Sequence, residues 1–422
     1  MSLTGERRRV AHLLRRAGFG AGEQELDAYA ELGFDGSVSR LLDYDAQPEV
    51  PDQVAPEQVG LQVWWLEKML HTQRPLQEKM TLYWHGHLTS ALSKVNNPNA
   101  LLAQNRFFRA NALGNYDAIL RGISRDAAMI RWLDLGTSRR AAPNENYARE
   151  LLELFTMGVG NYTEDDVREA ARAFTGWNAT PDGQFFFNQN QHDFGSKTIL
   201  GRSGNLSGDE VSAMLAAHPA TGRFMATKLF RFFAYPGPEP AVIDRLADVY
   251  QQSGFSIKAV VESILRSPEF IAEQAYRALI KSPIELLIGA LRTLGVQHVP
   301  LPVAQRMRLL GQELFNPPNV AGWFGGRSWI NAATLLARFN LVGQAMNQMG
   351  GPRLSESLLN SSLQGATEPE ARVQRILDLL VEGDVAPDER AALVAFASQA
   401  KGDDQIRGLF RLAMALPAYQ LN

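Results

Sequence analysis

Residues 143–158 read PNENYARELLELFTMG and decide the class of fold, because they carry a complete helical signal. Four apolar residues recur at helical spacing and predict the buried stripe of this motif helix. They are Tyr147, Leu151, Leu154 and Phe155. Asn144 is a suitable N-cap, and Gly158 is a suitable residue just beyond the C-terminal end. The stretch therefore predicts a helix of about three to four turns.

The same helical period recurs along most of the chain and predicts a mainly α, multi-helix globular domain. Before the motif helix, the predicted helices cover residues 23–32, 36–42, 58–71, 76–93, 101–113, 116–123 and 126–133. Beyond it, the period returns at residues 209–233 and 241–270. Thr163 with Asp166, and Ser282 with Glu285, have the spacing of capping boxes, so a helix is expected to begin at each pair.

The convincing strand signals are confined to residues 185–187 and 198–200, which flank a polar segment. They predict a small β-hairpin excursion near residues 184–201. Residues 1–340 are expected to form the helical core domain, and residues 341–422 a C-terminal helical extension that packs on this core.

Composition excludes several classes of function. A net charge of −3 and a pI near 6.2 give no basic field for nucleic acid. The chain has no cysteine, which excludes disulfides, thiol nucleophiles and thiolate metal sites. No apolar run approaches the roughly 18 residues of a membrane span, and the N-terminus lacks the features of a secretory signal. A soluble protein without an export signal in this chain is expected.

Beside its buried stripe, the motif helix carries polar groups that suit either chemistry or stability. Asn146, Glu150 and Glu153 are expected to share one face, where two carboxylates one turn apart favour metal binding or acid/base catalysis. Glu145, Arg149 and Glu153 follow at i, i+4 and i+8. The alternative interpretation is a surface helix held by exposed ion pairs.

Histidines in two other segments extend this candidate site. His85 and His87 lie in WHGH, at residues 84–87. On an unbroken helix they point about 200° apart and cannot chelate one ion, whereas an extended segment at Gly86 would allow it. His192 and Asp193 lie in a polar loop, and Lys197 follows. The sequence predicts one constellation of catalytic or divalent-metal residues. The predicted catalytic residues are Glu150, Glu153, His85 and Asp193. The predicted metal ligands are His85, His87, Glu150 and His192.

Other residues are assigned to substrate binding or to packing. A late loop rich in proline and glycine carries aromatic and basic side chains that suit sugar rings or an anion. The alternative is a packed loop that uses tryptophan as apolar filler. The predicted substrate-binding residues are Asn144, Asn146, Arg149, Lys197, Trp323, Arg327 and Trp329.

Six segments in a fixed order resemble a large bacterial family, DUF 1800. They are LLRRAGFG (13–20), WHGH (84–87), NENYARELLELFTMGVGNYTEDDV (144–167), AARAFTGW (170–177), HDFGSKTILG (192–201) and NPPNVAGWFGGRSWI (316–330). The resemblance covers about residues 9–340. It implies relatives that are often exported and that occur beside a second family, DUF 1501, similar to alkaline-phosphatase-like enzymes.

Two classes of function remain open from the sequence. The first is an enzyme, a hydrolase or lyase acting on a saccharide or an anionic small molecule, either metal-assisted or by carboxylate acid/base chemistry. The second is a non-catalytic scaffold or accessory subunit that works with a DUF 1501-like partner, in which the polar motif locks helices together.

Overall fold

The computed structural model describes residues 5–52, 55–347 and 365–422. Within these residues the protein is mainly α-helical, with 21 α-helices and two small antiparallel sheets, which confirms the predicted fold class. The helices that precede the motif are α1 (Glu6–Arg16), α2 (Glu23–Ala30), α3 (Gly33–Leu42), α4 (Pro56–His71), α5 (Pro75–His87), α6 (Leu92–Val95), α7 (Pro98–Ala110), α8 (Tyr116–Ser124) and α9 (Ala127–Trp132).

The remaining helices begin with the motif. They are α10 (Asn146–Glu150), α11 (Glu164–Ala173), α12 (Gly208–Ala217), α13 (Pro219–Phe233), α14 (Pro240–Gln252), α15 (Ile257–Leu265), α16 (Pro283–Thr293), α17 (Leu301–Ala304), α18 (Ala332–Asn347), α19 (Pro369–Val381), α20 (Pro387–Gln399) and α21 (Gly402–Ala415). No helix of the described residues is long and apolar enough to cross a membrane.

The strands form as predicted but pair differently. Strand β1 (Trp177–Ala179) pairs with β2 (Phe185–Phe187), and β3 (Lys197–Ile199) pairs with β4 (Arg202–Gly204), both antiparallel. The prediction of one hairpin between 185–187 and 198–200 is therefore wrong. Each strand finds a partner only a few residues away, which costs little loop-closure entropy. Leu200 and Gly201, with φ of 49° and 78°, make the tight turn between β3 and β4.

The chain divides into two compact units. The central unit comprises Gln77–Leu265 and Leu314–Trp323, and the terminal unit comprises the described residues of Met1–Leu76, Arg266–Glu313 and Phe324–Asn422. All the predicted site residues except Arg327 and Trp329 belong to the central unit. The expected division at residue 340 stays a prediction.

Helix starts follow the capping signals of the sequence. At α11, Thr163 accepts the backbone N–H of Asp166 and the Asp166 carboxylate accepts the backbone N–H of Thr163. Ser282 and Glu285 make the same reciprocal pair at α16. Both predicted capping boxes are thus confirmed, because each satisfies backbone donors that a first helical turn leaves unpaired.

The motif helix changes its winding halfway. It is α-helical over Asn146–Glu150 and continues as a π-helix over Leu151–Thr156, where the N–H of Met157 donates to the carbonyl of Leu152 at 2.9 Å. The wider π turn displaces the buried stripe, so Leu152 is fully buried whereas Leu154 is only partly buried. Gly158 follows with φ of 76° and ends the helix as predicted.

Helix α5 ends at His87, so the prediction of a helix through residue 93 is wrong. The next residues turn their polar groups to other segments: the Thr89 hydroxyl donates to the carbonyl of Val320 at 2.8 Å, and Ser90 accepts from Gln104 at 2.9 Å. The N–H of Leu92 then donates to the carbonyl of Phe315 at 2.7 Å. These bonds replace the helical ladder beyond His87.

Candidate functional site

The two glutamates of the motif helix have different surroundings. Glu153 accepts a hydrogen bond at Oε2 from the Tyr162 hydroxyl, 2.8 Å away. Glu150 is half-buried, and within the described part of the chain its carboxylate makes no hydrogen bond or ion pair. Burial raises the pKa of Glu150, the charge of Glu153 raises it further, and Arg149 lowers it. Within the pair, Glu150 is thus the carboxyl group with the raised pKa, and Glu153 is the one that accepts a hydrogen bond from a phenol.

Tyr162 keeps its proton at neutral pH. Burial raises the pKa of Tyr162 to about 12, and its hydrogen bond to Glu153 acts in the same direction. A phenol that remains protonated can donate to the Glu153 carboxylate over the physiological range.

Arg149 confirms part of the ion-pair alternative. Its Nη2 atom lies 2.7 Å from Oε2 of Glu164 and 3.1 Å from Oε2 of Glu145. Both carboxylates are largely exposed, so each pair contributes little to stability. Glu153, the third member of the predicted charge series, bonds Tyr162 instead.

Asn144 and Asn146 tie the start of the motif helix to the preceding loop. The Asn144 side chain accepts the N–H of Asn146 at 3.0 Å and donates to the Thr137 hydroxyl at 3.0 Å. The Asn146 amide donates to the carbonyl of Leu133 at 3.2 Å. The N-cap of α10 is Glu145, so the prediction of Asn144 as N-cap is displaced by one residue. Both amides hold the backbone, and their role toward a substrate stays a prediction.

His87 belongs to a buried network at the C-terminal end of the motif helix. The Lys228 ammonium donates to His87 Nδ1 at 3.2 Å, and His87 Nε2 lies 3.2 Å from the carbonyl of Phe155. The Tyr116 hydroxyl donates to the same carbonyl. Burial lowers the pKa of His87, and the charge of Lys228 adds to this, so the imidazole is neutral. Side chains from α5, α8 and α13 thus satisfy carbonyls that the helix end leaves unpaired.

His85 faces a different element of the central unit. Its Nε2 atom accepts the backbone N–H of Phe315 at 2.9 Å, and its ring packs against Phe315 and Trp323 with centroid distances of 5.4 and 5.6 Å. Burial lowers the pKa of His85 to about 3, so the ring is neutral and carries its proton on Nδ1. The two histidines of WHGH engage separate partners from one unbroken helix, as their spacing predicts.

Asp193 and Lys197 hold the loop between β2 and β3. Both carboxylate oxygens of Asp193 are occupied, one by Arg172 Nε at 2.7 Å and one by the N–H of Gly195 at 2.8 Å. The hydrogen bond and charge of Arg172 lower the pKa of Asp193. The buried Lys197 ammonium donates to the carbonyls of Asp193 and Gly195 at 2.6 and 3.0 Å. These contacts fold the segment onto itself.

His192 leaves one ring nitrogen without a described partner. Its Nδ1 atom lies 2.8 Å from the carbonyl of Thr175, and because a carbonyl only accepts, Nδ1 carries the proton. The ring lies between Phe187 and Phe194, with centroids 5.0 and 4.6 Å away. Burial lowers the pKa of His192, so Nε2 of a neutral ring is the atom that can take a ligand.

The predicted residues of the late loop divide between the units. Trp323 is half-buried against His85 in the central unit. Arg327 is exposed and Trp329 is buried in the terminal unit, where the Trp329 carbonyl accepts the Thr334 hydroxyl at 3.0 Å. The burial of Trp329 fits the alternative of a packed loop.

The structure groups the candidate residues into three networks. The first joins Glu150 and Glu153 with Tyr162, the second joins His87 with Lys228 and Tyr116, and the third joins Asp193 with Arg172 and Lys197. Among the described residues, neither glutamate bonds a histidine, and the four predicted metal ligands do not form a group of three with ligand atoms within 4.8 Å.

Four of the residues in these networks were missed by the sequence analysis: Lys228, Tyr116, Tyr162 and Arg172. Lys228 carried a usable signal, since it lies four residues from Phe224 and four from Phe232 on an otherwise apolar face of α13. A lone lysine between aromatic residues at helical spacing indicates a buried cation. Burial lowers the pKa of Lys228 to about 8.

Comparison with known proteins identifies the family. No curated protein and no solved structure matches the chain. One family, described as a protein of unknown function (DUF1800), matches residues 12–421. The match extends well beyond the residues that carried the resemblance in the sequence. With nearly the whole of its length matched, the chain belongs to the DUF1800 family.

Proposed function

We propose that the protein is a hydrolase of glycosidic bonds, with Glu150 as the general acid and Glu153 as its carboxylate partner. The observation that carries this proposal is the contrast within the pair. Glu150 is half-buried without a hydrogen bond among the described residues, and Glu153 accepts one from Tyr162. Glycoside-cleaving enzymes use two carboxyl groups in different surroundings, one as the acid and the other as the carboxylate.

The charge of the pair favours a neutral substrate. The Glu153 carboxylate repels an anion, and the neighbouring Arg149 is already paired with Glu145 and Glu164. Of the two substrate classes that the sequence left open, a neutral saccharide is therefore the better match.

The spacing of the pair supports a retaining reaction. The charge of Glu153 reaches Glu150 and raises its pKa, so the two carboxyl groups lie close together, as the roughly 5–5.5 Å separation in retaining enzymes requires. Glu150 would protonate the leaving oxygen while Glu153 attacks the anomeric carbon and forms a glycosyl ester. Glu150, now ionised, would take a proton from the water that hydrolyses this ester, which restores both groups.

Aryl glycosides with different leaving groups test the assignment. We expect Glu150→Gln to lose the first step on substrates with a poor leaving group and to keep it on dinitrophenyl glycosides, which leave without protonation, so that dinitrophenol is released in a burst before the slowed hydrolysis of the ester. Glu153→Gln should lose activity on both. Glu145→Gln is the matched control, because this residue lies beside the same helix in an exposed ion pair. A 2-deoxy-2-fluoro glycoside should leave a covalent adduct on Glu153, detectable by mass spectrometry.

A scaffold or accessory subunit, working with a DUF 1501-like partner, is the second candidate. It is favoured by the bonds of the other candidate residues, since His85, His87, Asn146 and Lys197 each contact a backbone group. In that case the wild type would hydrolyse none of the glycosides, and both glutamine variants at residues 150 and 153 would retain binding to the partner unless they unfold.

A further inference from the structure

We propose that Glu67, His71 and His298 form a binding site for a divalent transition metal ion, with Zn²⁺ as the best match. All three residues belong to the terminal unit. The site shares no residue with the proposed catalytic pair, so each proposal can be tested independently of the other.

Helix α4 supplies two of the ligands. Glu67 and His71 are four residues apart, the spacing that places two side chains on one helix face. Nε2 of His71 lies 3.3 Å from Oε2 of Glu67.

The segment between α16 and α17 supplies the third ligand. The backbone N–H of Val299 donates to Oε1 of Glu67 at 2.7 Å, which anchors this segment on the carboxylate. The neighbouring His298 then brings its Nδ1 atom to 3.8 Å from Oε2 of Glu67. One oxygen of Glu67 thus holds the segment, and the other faces both imidazoles.

Two of these ligand atoms are buried without a hydrogen-bond partner among the described residues. Glu67 is 3% exposed, and among the described residues neither its Oε2 atom nor Nε2 of His71 has a hydrogen-bond partner, although both atoms are buried. Buried polar atoms are normally satisfied. A cation between Oε2 and Nε2 would satisfy both at once, and a neutral imidazole presents its lone pair for this purpose.

The donor set indicates the kind of metal. Two imidazole nitrogens with one carboxylate oxygen suit Zn²⁺ and its neighbours in the first transition row, whereas Mg²⁺ and Ca²⁺ prefer oxygen ligands throughout. Ligand atoms about 2.0–2.1 Å from a tetrahedral Zn²⁺ lie about 3.4 Å from one another. The three atoms here all lie within 4.8 Å, and the His298 side chain, 72% exposed, can turn to close the longest gap. Solvent would fill the fourth position.

Nearby basic groups do not oppose the cation. Arg292 donates to backbone carbonyls at the end of α4, including that of Leu70 at 3.0 Å. Its charge is balanced by Glu25, which accepts two hydrogen bonds from it at 2.6 and 2.7 Å. Lys68, also on α4, pairs with Asp52 at 2.9 Å.

Zinc titration of the untagged full-length chain tests the proposal. The protein is stripped with a chelator, dialysed and titrated with Zn²⁺ by calorimetry, and the metal retained after gel filtration is measured by mass spectrometry. We expect one equivalent of Zn²⁺, a higher melting temperature with the metal, and weaker binding of Mg²⁺. Failure of the stripped wild type to bind Zn²⁺ would overturn the proposal.

Variants separate this site from adventitious binding. His298→Ala removes an exposed ligand and should leave the fold intact, whereas His71→Ala and Glu67→Gln remove ligands on the helix. Each should weaken Zn²⁺ binding by more than about tenfold and abolish the shift in melting temperature. His218→Asn is the matched control: His218 caps α13 by accepting the N–H of Ala220, and asparagine can cap in its place. Equal binding by wild type and His298→Ala would show that His298 is not a ligand and would overturn the site.

Discussion

The ammonium nitrogen of Lys228 lies 3.2 Å from Nδ1 of His87. Since Nδ1 accepts this bond, Nε2 carries the ring proton and donates it toward the carbonyl of Phe155. Lys228 also approaches the carbonyl of Leu154 at 3.5 Å, so a cation lies at the negative end of the motif helix. The position of the π-helix end is thereby coupled to two titratable groups on α5 and α13.

Lys228 should make stability depend on pH in the alkaline range. Its pKa is lowered from 10.5 to about 8 by burial, so between these values the unfolded chain binds more protons than the folded one. The free energy of unfolding should therefore rise from about pH 8 to about pH 10.5. Lys228→Met should remove this rise, which is a few kcal/mol at most. Urea unfolding of both proteins across this range measures the difference.

The difference between the two proteins is the quantity to compare, because other buried groups titrate in both. Lys258→Met serves as the matched control on a neighbouring helix. An unchanged pH profile in Lys228→Met would mean that the ammonium group is hydrated in the folded protein.

His85→Phe should destabilise the central unit and reduce the loss of its stability at acidic pH. The phenyl ring fills the space but leaves the buried N–H of Phe315 without its acceptor, at a cost of about 1–3 kcal/mol. The pKa of His85 is about 3 in the folded protein, below its ordinary value of 6.5. Folded protein therefore loses stability as pH falls below 6.5, because only the unfolded chain gains this proton.

Thermal unfolding of wild type and His85→Phe between pH 7 and pH 4 checks both effects. At pH 7 the variant should have a lower melting temperature than the wild type, and its melting temperature should decrease less as the pH falls to 4. His218→Asn is the control, because asparagine can take over the capping of α13. If the melting temperature of the variant decreased with pH as much as that of the wild type, the pKa of His85 would not be lowered in the folded protein.

Gly322→Ala should be strongly destabilising. Gly322 has φ of 77°, and an added Cβ would overlap the carbonyl oxygen of Gly86 on α5. Backbone strain and the clash together should lower the free energy of unfolding by about 2–5 kcal/mol. Gly326→Ala, at φ of 56° with no neighbour within 4 Å of the added carbon, should cost only about 1–2 kcal/mol. Equal losses in urea unfolding would contradict the close approach of Gly322 to Gly86.

Asp193→Asn should destabilise the loop between β2 and β3. The change removes a largely buried charge partner of Arg172, at a cost of about 1–3 kcal/mol at neutral pH. Arg172 holds the pKa of Asp193 below 3.8, so the pair stabilises the fold above this pH and the contribution is lost as pH falls through the lowered value. The melting temperatures of wild type and variant should therefore converge in acid. Asp165→Asn, in an exposed pair with Arg168, should change little at any pH.

Several parts of the fold could be predicted because their causes are local. The capping boxes at Thr163 and Ser282 depend on residues three apart, and the end of the motif helix depends on the glycine at 158. The strand signals at residues 185–187 and 198–200 were also local, and both strands form. Their pairing was predicted wrongly, since each strand pairs through a nearer turn, such as the one at Leu200 and Gly201.

The sequence could predict which residues belong to the candidate site, but it could not predict which of them contact one another. Glu150 and Glu153 are neighbours by helix geometry, and the sequence named both. Tyr162 reaches Glu153, and Lys228 reaches His87, only in the folded chain. The helical period of the sequence does not predict these contacts. The association of Glu67 with His298 likewise requires α4 and the segment after α16 to meet.

The sequence by itself determined that the chain is helical, where many of its helices begin, and to which family it belongs. Each of these follows from the order of neighbouring residues. Only the tertiary structure decided that the motif helix widens into a π-helix at Leu151, that His85 and His87 have different partners, and that Glu153 accepts a hydrogen bond from Tyr162. The reason is physical: burial, charge and hydrogen-bond partners depend on residues distant in the chain.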